Sequence, residues 1–136
     1  MTEQPLSTET IEVGKPLAII CYATLPLGIP AFILPMLTRD NAYALQHAKY
    51  AGVIFLGATL TFILTFAAAF ITCGFGTPLV GLTLFFIIPT IQGFLAALNG
   101  QDEIPMMVGP WAEKLFSGVT LKSDTDLAAE DLAAEE

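Results

Sequence analysis

A chain of 136 residues is one domain at most, and 54% hydrophobic with 13% charged residues places it far from the roughly 25% charged of soluble domains. The formal net charge of -8 comes mainly from the two ends, Thr2 to Glu12 and Ser123 to Glu136, which argues against nucleic acid as a partner. Two cysteines, Cys21 and Cys73, lie in different apolar segments without CxxC spacing and so argue against a disulfide scaffold or a zinc site.

Residues 1–14 are polar and aperiodic, and are expected to form a flexible acidic arm. Glu3, Glu9 and Glu12 stand where a cleavable signal would carry basic residues, so no signal is expected here. A helical membrane domain is then expected over residues 15–122. Its first span, residues 16–37, is apolar and uncharged, and about 22 residues is long enough to cross a hydrocarbon core of about 30 Å. Pro26, Pro30 and Pro35 each remove a backbone donor, so the span is predicted to be kinked, with entry and return on one side as the alternative to crossing.

The connector Thr38 to Lys49, TRDNAYALQHAK, is the polar stretch between apolar segments. Asp40 or Asn41 is placed to cap a helix starting near Ala42, because their short acceptors satisfy its first free donors. Tyr43, His47 and Tyr50 follow at i, i+4 and i+7, which sets two aromatic rings and the single histidine on one stripe. Tyr43 and Tyr50 read as interfacial anchors, and Arg39, Gln46 and Lys49 can reach phosphate or water. His47 is also a possible ligand for a metal, a haem, a chlorophyll-type pigment or a proton. A single chain offers it no second histidine, so a metal site would need several subunits.

From Tyr50 to Gln101 no side chain carries a formal charge, and roughly 50 residues is two crossings and a turn. The predicted spans are residues 50–73 and 78–98. In the former, Gly57, Thr61, Thr65, Ala69 and Cys73 recur every four residues as a ridge of small side chains, for packing within the chain or for self-association. Cys73 to Pro78 makes the turn, Pro89 is expected to bend the last span, Gln92 needs a hydrogen-bond partner, and Asn99 with Gly100 ends it. Residues 104–118 read as an interfacial helix anchored by Trp111, and residues 123–136, with a repeated DLAAE, as an acidic disordered tail. With three crossings, Arg39, Lys49, Lys114 and Lys122 share one side against Lys15. That distribution places the connector and C-terminus in the cytoplasm; a returning first segment moves the N-terminus there too.

The run PMLTRDNAYALQHAKYAG, Pro35 to Gly52, resembles a family of small bacterial membrane proteins related to the twenty-kilodalton chloroplast inner-envelope import component. Arg39, Asp40, His47, Ala48 and Lys49 carry the likeness, and ALNGQDEIPMMVGPWAEKL resembles the family's closing pattern. Within the family the connector is most similar to the magnetosome proteins MamF and MmsF, which implies a part in magnetite crystal growth if the source makes magnetosomes. Tyr50 departs from the glutamine usual there, only one acidic residue follows Arg39, and the DLAAE tail is foreign to the magnetosome branch.

No paired carboxylates, serine–histidine spacing or phosphate-binding loop points to catalysis, so no enzyme is expected, and no cofactor. The expectation is an all-α membrane protein of about three transmembrane helices, the first proline-kinked, plus a C-terminal interfacial helix. Its partners would be the lipid bilayer and a homo-oligomer or larger membrane assembly, in a bacterial inner membrane or a compartment derived from it. Mineral or cation handling, and a translocon-like or pore-forming part, are the alternatives.

Overall fold

The computed structural model describes residues 6–102 and 108–122, and every regular element among them is helical. Five α-helices run α1 Thr8–Ala23, α2 Ile33–Thr38, α3 Ala42–Ile71, α4 Ile87–Asn99 and α5 Val108–Leu115, with 3₁₀ stretches at Leu25–Leu27 and Thr77–Phe86.

α1 begins inside the segment expected to be an unstructured arm. Ser7 is its cap, its hydroxyl accepting from the Thr10 N–H at 3.2 Å, and Glu9 sits in the first turn, where the helix dipole favours an acid. Pro16 therefore falls inside the helix and does not open it. The helix stops at Thr24, where the backbone N–H and the hydroxyl both donate to the Ile20 carbonyl, at 3.2 and 2.9 Å. Leu25–Leu27 then tightens, Gly28 adopts a left-handed φ of 72°, and the chain reverses before Pro30.

The first span, expected over residues 16–37 as one kinked crossing, is thus two helices joined by an irregular turn. α2 comes back to where α1 began. Asn41 caps α3, its Oδ1 accepting from the Ala44 N–H at 3.0 Å, while its Nδ2 donates to the Thr10 carbonyl in α1 at 2.9 Å. Gly14 lies against the same Asn41 side chain with no room for a Cβ. Entry and return share a level because Pro26 and Pro30 remove donors that a continuing helix needs, and Gly28 turns the chain at that break.

α3 is 30 residues, about 45 Å of helix. Thr77–Asn99 returns beside it, first as 3₁₀ and then as α4. These two are long and apolar enough to cross a membrane, and only 11% and 17% of their most apolar windows is buried. A third helix of that kind is absent among the described residues. The hairpin turn holds Gly74 at φ 95° and Cys73 at φ 51°, and the Thr72 hydroxyl accepts from the Gly76 N–H at 2.8 Å. α4 ends on Gly100 at φ 71°, with the Gln101 N–H donating back to the Ala96 carbonyl at 3.0 Å. α5 ends at Leu115, before the expected 118; residues 103–107 and the tail 123–136 lie outside the described residues. It is tied to the bundle by Phe116 on Gly52 and by the Lys122 N–H, which donates to the Arg39 carbonyl at 3.2 Å.

The packed core gathers at the connector end, around Ala18, Cys21, Tyr22, Tyr43, Ala48, Ala51, Ala96 and Ala97. Beyond Ile54 the hairpin presents Leu60, Leu64, Phe66, Phe70, Leu82 and Phe85 outward.

Candidate functional site

The polar centre of the bundle is His47, fully buried at the start of α3. Its Nε2 lies 2.9 Å from the Gln101 carbonyl oxygen, which can only accept, so Nε2 carries the proton. Nδ1 lies 3.1 Å from the Tyr22 hydroxyl, which therefore donates to it. One imidazole thus joins α1, α3 and the end of α4. The Tyr22 ring meets His47 edge-on at 5.7 Å between centroids, and the Tyr43 ring stands 4.6 Å away. Tyr43 in turn donates at 3.2 Å to the Ala97 carbonyl in the last turn of α4, which the Gly100 N–H also reaches at 3.4 Å.

α4 approaches closely because Gly93 faces Tyr22, and a Cβ there would run into the ring. Both ring nitrogens of His47 are occupied, so a metal or haem would have to displace Tyr22 or Gln101. No group of three His, Cys, Asp or Glu side chains among the described residues is placed to hold a metal ion.

The connector residues do not converge on one site. Ala48 is buried with His47, but Asp40 is exposed beside a groove lined by Val13, Gly14 and Thr38. Arg39 ends α2 in a left-handed conformation at φ 56°, and Lys49 faces a separate pocket with Gln46, Tyr50 and Glu113. Tyr43, expected at the interface, is buried; Tyr50 is half-buried and accepts from Gln46 Nε2 at 3.0 Å. Trp111 is half-exposed, with Lys114 Nζ 6.0 Å above its ring.

The ridge of small residues turns toward the returning 3₁₀ stretch. The Phe86 ring covers Gly57, whose Cβ would come 2.7 Å from Cε1, and Gly76 closes on Ala69. Thr65 bonds the Thr61 carbonyl of its own helix at 2.8 Å, while Cys73 at the end of the ridge is exposed. Tyr22, Gly93 and Gln101 were not singled out by the sequence. The signals were a lone hydroxyl within the apolar run of α1 and a glycine inside α4.

The chain matches no protein-family model, no curated protein and no solved structure.

Proposed function

We propose that this protein is a non-catalytic integral membrane scaffold. It crosses the bilayer as the hairpin of α3 and Thr77–Asn99 and is braced at one interface by the returning α1–α2 pair. The observation that carries the reading is the bare outer half of the hairpin, where Phe62, Phe66 and Phe70 form an exposed aromatic row. Water would not tolerate that surface on a lone chain, whereas lipid does.

Arg39, Lys49, Lys114 and Lys122 belong to the connector end, and Lys15 stands next to Gly14, which packs on Asn41. The opposite turn, Thr72 to Gly76, carries no charge. The positive-inside rule then puts the connector end in the cytoplasm.

Assembly follows from the turn between α1 and α2. Pro26 to Ile29 is exposed, and among the described residues the carbonyls of Pro26, Leu27 and Gly28 accept no hydrogen bond. Leu25 and Pro26 share a pocket with Ile54 and Phe55, which places this turn below the last charged residue of α3. Hydrocarbon does not solvate such backbone, so a second protein surface covers it.

The test uses the cysteines. Membranes carrying the protein should retain it through alkaline carbonate washing. A membrane-impermeant maleimide applied to intact cells should label the exposed Cys73 and leave buried Cys21 untouched. Labelling only after lysis reverses the orientation, and release by carbonate removes the membrane reading.

A further inference from the structure

The Lys49 pocket has a composition that neither the bundle nor the hairpin accounts for. It is an open cleft of about 320 Å³ between the first turns of α3, α5 and the segment after α5, lined by Gln46, Lys49, Tyr50, Glu113 and Thr120 with Leu45 and Leu121. Lys49 and Glu113 are near enough for the carboxylate's charge to act on the ammonium, yet among the described residues they form no salt bridge. The pocket therefore has one cation and one anion in its wall, beside the Gln46 amide that donates to the Tyr50 hydroxyl at 3.0 Å. Lys49 is the last charged residue before the uncharged span, which is headgroup depth in a membrane-spanning α3.

One helical turn deeper, at Val53 and Ile54, the same face opens on a groove of about 180 Å³ lined by Phe85, Phe86, Pro89, Val108 and Trp111. Charge of both signs above and an apolar groove below match a ligand with the same order of parts.

We propose that this face binds a zwitterionic glycerophospholipid bearing a primary ammonium, of the phosphatidylethanolamine type. Lys49 and Gln46 take the phosphate, Glu113 takes the ammonium, and an acyl chain lies along Trp111. A choline headgroup lacks the N–H donors that Glu113 needs, and a glycerol headgroup lacks the cation. The inference rests on the membrane reading, and its test separates the two.

Trp111 is the single tryptophan, so quenching by lipids brominated on the acyl chain reports on the groove. In detergent micelles holding the full chain, brominated phosphatidylethanolamine should quench at about tenfold lower mole fraction than the phosphatidylcholine or phosphatidylglycerol analogue, as one charge-assisted contact is worth. Lys49→Gln should weaken all three. Glu113 is exposed on α5, so Glu113→Lys leaves the packing intact and should invert the order, with phosphatidylglycerol strongest. Equal quenching by the three lipids, or an order unchanged by Glu113→Lys, overturns the proposal while leaving a carbonate-resistant protein in the membrane. A protein that stays dispersed without detergent overturns both.

Discussion

Tyr22→Phe removes one oxygen and leaves the ring in place against Gly93. The Nδ1 lone pair of His47 then has no donor in a site closed to water. The expected loss is about 1–3 kcal/mol, the cost of an unsatisfied buried acceptor. Reversible unfolding in mixed micelles would measure it, and no change would mean that another donor reaches Nδ1. Gly93→Ala attacks the same junction from α4, by steric pressure on the Tyr22 ring, and should cost about 1–3 kcal/mol. Combined with Tyr22→Ala it should cost less than the sum of the two single changes, because the smaller side chain makes room for the methyl. Non-additivity is thus the signature of direct contact. Sequence alone places His47 on a stripe with Tyr43 and Tyr50, and that stripe exists; what it cannot supply is Tyr22, 25 residues away. A buried imidazole is read correctly only once both of its partners are known.

Helix boundaries set by short-range chemistry were legible. The Asn41 cap, the start at Ala42, the glycine turn after Thr72 and the stop at Asn99–Gly100 each depend on residues within one turn of the boundary. The return of α2 was legible only as the alternative to a kinked crossing. Pro26 and Pro30 announce that a helix ends, whereas Pro35 lies inside α2, and the Asn41 bond to Thr10, 31 residues apart in sequence, ties the returned chain to α1. The start of α1 was hidden for a related reason, since Glu9, Glu12 and Lys15 look like an exposed arm until Ile11 and Gly14 are seen against the bundle. At this scale the ridge of α3 gives a prediction. Gly57→Leu should push Phe86 away and loosen the hairpin by about 1–3 kcal/mol, the usual cost of overpacking. Phe86→Ala in the same chain should restore most of it. Loss of assembly with unchanged hairpin stability would instead place the ridge between copies.

As a whole the molecule is packed at one end and bare at the other, and the uncovered backbone of the α1–α2 turn is where the proposed assembly would place a neighbour. In a Cys73→Ser background, Leu27→Cys should cross-link between copies in the membrane, since Leu27 is exposed on that turn. Ile63→Cys, on the outer half of α3, should remain monomeric under the same oxidation. A monomeric Leu27→Cys would leave a different protein as the cover. The asymmetry also bears on how such a chain reaches its place. In the proposed membrane arrangement only Thr72 to Gly76 passes to the far side between the two crossings, and none of these five residues carries a formal charge. Insertion of the hairpin then carries no charge through the hydrocarbon, so biogenesis of this part calls for no translocation motor, only for a route by which two greasy helices enter together.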